Sequence, residues 1–156
     1  MPAEPIVRDV MTTTVATLHP EQAIAAAADE MADHKFGAMP VVDENNKLVG
    51  LLTDEDFILS EARVHVPTYI SLLGVSFQIP GQSKEFHEEL EKVAGSTVGE
   101  VMDDDPLTIS ADDTLEDLAT AMHEREVSHV PVVDGDHKVV GIVARGDIVR
   151  YIARTT

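Results

Sequence analysis

The sequence predicts an α+β fold in which two copies of one unit pack around a pseudo-twofold axis, joined by an inserted connection. The first observation behind this is an internal repeat: residues 7–58 align with residues 98–149 at a constant offset of 91, without a gap. Fourteen of the 52 aligned positions are identical, where background composition would give roughly three. The second observation is that helical and strand patterns follow each other in the same order in both copies. Two related copies predict two related clefts, which is where small ligands tend to bind.

The composition indicates a globular chain with an acidic surface. Its 156 residues, 44% of them hydrophobic, suffice for one domain or for two small halves that share a core. The absence of cysteine excludes disulfides and thiolate zinc sites. A net charge of −18 argues against nucleic acid and anionic membranes as partners. No apolar run approaches the roughly 18 residues of a membrane span, and the N-terminus lacks signal-peptide features, so we expect a cytoplasmic protein.

Each repeat is predicted to open with a short turn that leads into an amphipathic helix. In the first repeat Pro20 suits the first helical turn. In the second, Ser110 is a natural N-cap, and Asp113 follows three residues later as in a capping box. The apolar stripe of the first helix comprises Ile24, Ala27, Ala28 and Met31, and that of the second comprises Leu115, Leu118, Ala119 and Met122.

After the helix, each repeat continues with two strands and a second helix. The strands are predicted at residues 38–42 and 47–52 in the first repeat and at residues 129–133 and 138–143 in the second. Pro40 and Pro131 lie just inside the first strand of each pair, which favours a strand edge or a bulge. The final helices are predicted to open at Thr53 and Ala144. The order indicates mixed α and β structure, with the two strands side by side and helices covering one face.

The connection between the copies is too long to be without structure. It contains an apolar segment at residues 69–79 and a predicted amphipathic helix that begins at Ser83 and stops at Gly95. Two interpretations stay open: this segment packs onto the chain's own core, or it forms a surface for a second copy or another partner. The predicted division is residues 1–60 for the first repeat, 61–96 for the insert and 97–156 for the second repeat.

Thr53 and Asp56 lie where a buried strand turns into a helix, and two interpretations apply. In the first they form a capping box, with the Thr53 hydroxyl capping the helix and Asp56 reaching back. In the second, the unpaired N–H groups of the junction bind phosphate and the carboxylate accepts the hydroxyls of a ribose. The two do not exclude each other. Ala144 of the second repeat has no capping side chain although Asp147 is present, which favours a ligand role for the carboxylate.

The run from Gly37 to Asp43 followed by the run from Val49 to Asp56, repeated once, resembles a tandem CBS-domain pair, also called a Bateman module. The resemblance covers about two-thirds of the chain and leaves residues 59–96 outside. It implies a β-α-β-β-α unit in each half and strands that meet across a pseudo-twofold axis. It also implies a regulatory adenosyl ligand, such as AMP, ADP, ATP or S-adenosylmethionine, in the clefts between the repeats. Such modules commonly form flat homodimers and regulate an effector protein.

The resemblance further implies which residues contact the ligand. In the first copy they are Val15, Ala16, Gly37, Ala38, Met39, Pro40, Thr53 and Asp56. In the second copy they are Pro106, Leu107, Ser128, His129, Val130, Pro131, Arg145 and Asp147. By this correspondence Thr53 contacts phosphate or ribose and Asp56 takes the ribose diol. By the same correspondence, the backbone at Ala38 and Met39 contacts the edge of the adenine. Val15 and Ala16 then line the opposite side of the adenine site.

Sequence differences between the two copies predict that the two sites prefer different ligands. Ser128 stands where Gly37 does, and the second copy lacks the hydroxyl before its helix. Three carboxylates at residues 54–56 crowd the first site and repel phosphates. Arg145, close to Asp147, either pairs with phosphate oxygens or faces solvent. We therefore expect the second site to take a phosphorylated adenine nucleotide. The first would take a less anionic adenosyl compound, a metal-bridged nucleotide or nothing.

The sequence contains no recognisable catalytic constellation. It has no nucleophile–base pair, oxyanion feature or phosphate-binding glycine loop, and its seven histidines show no metal-ligand spacing. The leading hypothesis is a stand-alone, non-enzymatic regulatory module that needs no cofactor, responds to an adenosyl ligand and signals to a separate effector. The alternative is a ligand-free module that dimerises or scaffolds a partner.

Overall fold

The computed structural model describes residues 3–34, 36–57 and 96–155; the apolar segment and the helix predicted within the insert lie outside them. The first half contains a 3-10 turn (Val7–Asp9), α1 (Ile24–His34), β1 (Ala38–Val42), β2 (Leu48–Thr53) and helical residues 54–57. The second half contains α2 (Val98–Val101), α3 (Leu115–Arg125), β3 (His129–Val133), β4 (Val139–Ala144) and α4 (Arg145–Thr155). The α+β class and all four predicted strands are confirmed, with the second strand of each repeat one residue later than predicted.

Each repeat forms one antiparallel hairpin, and the two hairpins have the same register. Pro40 lies opposite Leu51, and Pro131 lies opposite Ile142. In both hairpins the register shifts immediately after the residue that follows the proline. This irregularity agrees with the bulge that was one of the two interpretations of each proline, although the proline itself stays in register.

A rudimentary third strand flanks the free edge of each hairpin. Leu18 forms a parallel bridge with Val41, and Ile109 forms the corresponding bridge with Val132. The Leu18 N–H donates to the Pro40 carbonyl at 2.9 Å, which satisfies a polar group that the hairpin leaves unpaired. Each repeat thus has the order strand, helix, strand, strand, helix, with a first strand of minimal length.

Isolated bridges between the repeats trace the pseudo-twofold axis. Each bridge between the repeats has a symmetry-related counterpart, in which every residue is replaced by the equivalent residue of the other repeat, 91 positions away. The matched pairs are Ile6–Thr114 with Ala23–Thr97, and Thr12–Ile142 with Leu51–Asp103, while Lys47–Lys138 is its own counterpart. The segment that precedes the first helix in each repeat therefore crosses over and pairs with the other repeat.

This exchange also builds the two cores. Val7, from the N-terminal segment, is fully buried among residues of the second repeat, and Val98 is fully buried among residues of the first. A third, smaller cluster joins the hairpins through Val42, Leu48 and Val139. Because each repeat supplies a side chain to the other's core, we expect the two halves to unfold together, as copies too small to be stable alone would do.

The predicted apolar faces of the first helix of each repeat turn toward these cores. All four predicted positions of α1 are buried. In α3, Leu115, Leu118 and Met122 are buried, whereas Ala119 is exposed although its counterpart Ala28 is buried. The buried stripe is therefore narrower in α3 than predicted.

Two predicted helix starts were wrong. Pro20 lies in a turn, and α1 begins four residues later. The N-cap of α3 is Thr114, whose hydroxyl accepts the Asp117 N–H at 3.0 Å. Ser110 instead belongs to the preceding turn, where its N–H donates to the Asp113 carboxylate at 3.0 Å. The same pairing of serine and aspartate occurs in turns and in helix caps, so the sequence did not distinguish them.

Candidate ligand-binding site

Two pockets related by the pseudo-twofold axis lie between the repeats. Pocket A, of about 290 Å³, is lined by Thr12, Thr14, Val15, Ala16, Phe36, Gly37, Ala38, Pro40, His129, Ile142, Ala144, Asp147 and Arg150. Pocket B, of about 240 Å³, is lined by Leu51, Thr53, Glu55, Asp56, Asp103, Glu126, Val127, Ser128, His129 and Arg145. Both volumes are just below the usual range for small-molecule sites.

Each pocket combines residues of both repeats, which corrects the grouping predicted from the sequence. Val15, Ala16 and Ala38 were grouped with Asp56 of their own repeat, but in pocket A they lie with Asp147 of the other. The physical reason is the exchange of N-terminal segments. Pairing of Thr12 with β4 brings the first repeat's entry segment alongside the strand-to-helix junction of the second.

The two junction carboxylates have the same local geometry. Asp56 Oδ2 accepts the Thr53 N–H at 2.8 Å and the Thr53 hydroxyl at 3.1 Å. Asp147 Oδ2 accepts the Ala144 N–H at 2.8 Å. Ala144 therefore does not weaken a capping role for Asp147, contrary to the prediction, because this half of a capping box needs only a backbone N–H. The Thr53 hydroxyl, predicted to cap the helix, donates to Asp56.

Five residues predicted from the resemblance do not line either pocket. Met39 and Val130 are fully buried in the two cores, and Pro131 is buried in β3. Pro106 and Leu107 are partly buried, and Leu107 packs against the core of the second repeat. Strand alternation explains the first pair, since neighbouring side chains point to opposite faces and Ala38 and His129 already face the pockets.

Arg145 lies in pocket B, not beside Asp147 in pocket A as the sequence suggested. The backbone N–H of Arg145 donates to the Ser128 carbonyl at 2.9 Å, and Ser128 also lines pocket B. The phosphate-pairing cation predicted for the Asp147 site therefore belongs to the opposite pocket.

Pocket B is strongly acidic. Four carboxylates line it, against the single guanidinium of Arg145: Glu55, Asp56, Asp103 and Glu126. Burial is the main cause that raises the pKa of Asp56, and repulsion from Asp103 and Glu55 adds to it, while hydrogen bonds from Thr53 act in the other direction. Further negative charge in this pocket is electrostatically unfavourable.

Sequence reasoning missed the cation of pocket A, Arg150. Its guanidinium donates to Asp147 Oδ1. The Asp147 side chain is only 14% exposed, whereas that of Arg150 is 63% exposed. The spacing of three between an acid and a base in a predicted helix was the available indication. The other missed lining residues of pocket A are Thr12, Thr14, Phe36, Ile142 and Ala144.

Of the residues that the structure describes, His129 alone lines both pocket A and pocket B. Its Nδ1 is 2.9 Å from the Ser128 hydroxyl. A Cβ placed at Gly37 would lie 3.0 Å from the Cε1 and 3.1 Å from the Nε2 of this ring, so the glycine makes room for it. Burial lowers the pKa of His129, and the nearby carboxylates of Asp54 and Asp147 partly oppose this.

We expect the stability of the protein to fall in mildly acidic solution partly because of His129. An unfolded histidine binds a proton near pH 6.5, whereas the folded one does so only at a lower pH. Between those two values the unfolded chain binds more protons, so the free energy of unfolding decreases as the pH drops. Thermal unfolding measured at about pH 7.5 and about pH 5 should show that the Tm of His129→Gln falls less between the two pH values than the Tm of the wild type. Identical losses would contradict this assignment.

Residues 3–34, 36–57 and 96–155 lack two further features that would bear on function. No group of three or more histidine, aspartate and glutamate side chains in these ranges is arranged to hold a metal ion. Within the same ranges, no helix combines the length and the apolar character needed to traverse a bilayer.

Comparison with known proteins identifies the repeated unit. A family model described as CBS domain matches residues 7–62 and again residues 98–154. The two matches cover both halves of the pseudo-twofold fold and both junction carboxylates. The chain therefore belongs to the CBS-domain family and carries a tandem pair of these domains.

Individual relatives and solved structures agree with this assignment. YhcV of Bacillus subtilis, a CBS domain-containing protein, is 34% identical over 142 residues, which is 91% of this chain and 81% of YhcV. Chloroplastic CBSX1 of Arabidopsis thaliana is 33% identical over 135 residues, which is 84% of this chain but only 56% of CBSX1. The structure of CBSX2 in complex with AMP is 26% identical, with a TM-score of 0.74, and covers 97% of this chain and 98% of that one. The CBS domain pair of MJ0100 in complex with 5′-methylthioadenosine and S-adenosyl-L-methionine is 26% identical, with a TM-score of 0.75, and covers 99% and 100%.

Proposed function

We propose that this chain is a regulatory module that binds an adenosyl ligand in pocket A. The observation that carries the proposal is the position of Asp147, a largely buried carboxylate that shares the pocket with apolar Val15, Ala16 and Ala38. A carboxylate of this kind accepts hydrogen bonds from ribose hydroxyls, and an apolar wall accommodates adenine. The complexes of CBSX2 with AMP and of the MJ0100 pair with S-adenosyl-L-methionine support this ligand class.

The two pockets are proposed to prefer ligands of different charge. Pocket A pairs one carboxylate, Asp147, with one guanidinium, Arg150, and adds the hydroxyls of Thr12 and Thr14. This environment suits a phosphorylated adenine nucleotide. Pocket B, with its four carboxylates, suits an uncharged or cationic adenosyl compound. The preferences are those predicted for the Asp147 and Asp56 sites, although Arg150 rather than Arg145 supplies the cation.

Ligand binding is proposed to regulate a separate effector protein. Each pocket is formed by both repeats, so a bound ligand contacts both halves and favours one arrangement of them over another. Such a differential affinity is the requirement for a ligand to shift a conformational equilibrium. The proposed regulatory unit is a homodimer in the cytoplasm, and its effector reads a surface that depends on this arrangement.

Thermal unfolding with added ligands tests the proposal. We expect AMP to raise the Tm of the wild-type protein. At a concentration of 100 times Kd the stabilisation is about 2.7 kcal/mol, or roughly 5–10 °C for a chain of this size. The shift should be lost in Asp147→Ala, which removes both the cap and the ribose acceptor. It should be reduced in Asp147→Asn, which keeps an oxygen for the Ala144 N–H but removes the charge.

Two comparisons make the experiment specific. Asp29→Ala removes an exposed carboxylate on α1 and should keep the full AMP shift. Asp56→Ala, in pocket B, should also keep it, while losing any shift produced by 5′-methylthioadenosine or S-adenosylmethionine at that pocket. A well-folded protein whose Tm responds to none of these compounds would contradict the proposal and favour a scaffold that acts without a ligand.

A further inference from the structure

The ion pair between Arg150 and Asp147 occupies the carboxylate that is proposed to bind ribose. Asp147 Oδ2 is engaged by the Ala144 N–H, and Oδ1 receives the Arg150 guanidinium. A ribose diol that approaches this carboxylate therefore competes with Arg150 for Oδ1. An ion pair whose cation is largely exposed contributes little to stability, so a ligand can displace the guanidinium at small cost.

The displaced guanidinium would be left beside the first turn of α4. A Cβ placed at Gly146 would lie 3.4 Å from Arg150 Nη1, so the guanidinium lies over this turn. A cation at a helix N-terminus is electrostatically unfavourable unless an anion accompanies it. Asp147 is that anion in the structure. Once the diol takes Asp147, the guanidinium needs another negative partner.

A phosphate on the same ligand supplies that partner. The 5′-phosphate of a nucleotide is attached to the ribose whose diol occupies Asp147, and guanidinium–phosphate pairs are charge-assisted and geometrically matched. Adenosine would break the ion pair without replacing it, whereas AMP would exchange one anionic partner for another. The corresponding positions of the first repeat, 55 and 59, are glutamate and leucine, so the arrangement is particular to pocket A.

We propose that Arg150 determines the specificity of pocket A by moving from Asp147 to the ligand's phosphate, so that the pocket selects phosphorylated over unphosphorylated adenosyl compounds. The inference rests on the proposed function, because it assumes that ribose binds at Asp147. Selection then depends on Arg150, which pairs with Asp147 in the free protein and would bind the phosphate in the complex.

Titration calorimetry with AMP and with adenosine tests this exchange in wild type and in Arg150→Leu, which introduces the residue found at the counterpart position. We expect AMP affinity to fall about ten-fold, equivalent to about 1.4 kcal/mol. Adenosine affinity should stay equal or rise up to about three-fold, because the competing guanidinium is gone. Arg150→Lys keeps the charge but not the planar fork and should give an intermediate AMP affinity. Arg154→Leu removes the same charge one turn later and should bind both compounds like wild type.

The outcomes separate this inference from the function on which it rests. A fall in AMP affinity in Arg150→Leu, with adenosine affinity unchanged or raised, supports the exchange. A loss of adenosine affinity as large as or larger than the loss of AMP affinity, or no change in either, overturns it while leaving adenosyl binding intact. If the wild-type protein binds neither compound, the proposed function itself fails and this inference fails with it.

Discussion

Replacing Gly50 by alanine is expected to lower the free energy of unfolding by about 1–3 kcal/mol, the usual cost of forcing a methyl group into a packed interior. A Cβ at this position would lie 2.4 Å from Met102 Sδ and 2.8 Å from the Asp103 carbonyl oxygen. The methionine can rotate away, but the carbonyl cannot, because it accepts the Leu51 N–H at 2.9 Å. The substitution therefore strains the contact through which the second repeat's entry segment pairs with β2. Urea unfolding measures the effect.

Two further glycines make this a graded test. Gly141 is the counterpart of Gly50, and its Cβ would lie 2.8 Å from Met11 Sδ and 3.1 Å from the Thr12 carbonyl oxygen. Gly141→Ala should therefore destabilise the protein less than Gly50→Ala. No atom lies within 4 Å of the Cβ position of Gly135, so Gly135→Ala should cost nothing or stabilise slightly through the unfolded chain. Equal effects at all three positions would show that the crossing segments do not approach the hairpins this closely.

Val98→Ala is expected to destabilise the protein by about 1.5–3 kcal/mol, because it empties part of a fully buried site. Val98 belongs to the second repeat by sequence but to the core of the first by packing. Calorimetry should therefore show one cooperative transition that moves as a whole to lower temperature.

The control for this prediction is Val149→Ala, which removes the same atoms from a position on α4 that is 61% exposed. It should leave the stability unchanged or slightly raised, since alanine is the better helix former. Two separate transitions in the wild-type protein, only one of them sensitive to Val98→Ala, would contradict the exchange of core residues.

Much of the local structure was predictable because short-range physics decides it. The apolar stripe that ends in Met31 has helical spacing, and the run around Pro40 has strand composition bounded by turn residues. The junction carboxylates Asp56 and Asp147 were also found, because each follows a strand at the spacing of a helix cap. Each of these features occurs at equivalent positions in both repeats, so the pattern in one repeat supported the prediction for the other.

Two failures were local: the helix starts predicted at Pro20 and Ser110 were wrong, because turns and helix caps use the same residues. The predictions that failed at the candidate site depended instead on where the two repeats meet. Residues of one repeat were assigned to one site, yet Asp147 shares its pocket with Ala38, from which it is separated by most of the chain. Arg145, two residues from Asp147, was predicted either to pair with phosphate at that site or to face solvent. Arg150, one helical turn after Asp147, is the residue whose guanidinium contacts this carboxylate.

The amino-acid sequence by itself determined the repeated α+β unit, its strands and helices, and the two carboxylates at the helix starts. Periodicity, turn composition and capping act over a few residues, so a linear pattern is enough to specify them. Three features depended on the tertiary structure alone. They are the pocket in which each carboxylate lies, the guanidinium that contacts Asp147, and the close approach of the entry segments that leaves no room for a side chain at Gly50 and Gly141. These features follow from the crossing of each entry segment onto the other repeat. Such long-range pairing leaves no local periodicity in the chain by which it could be predicted.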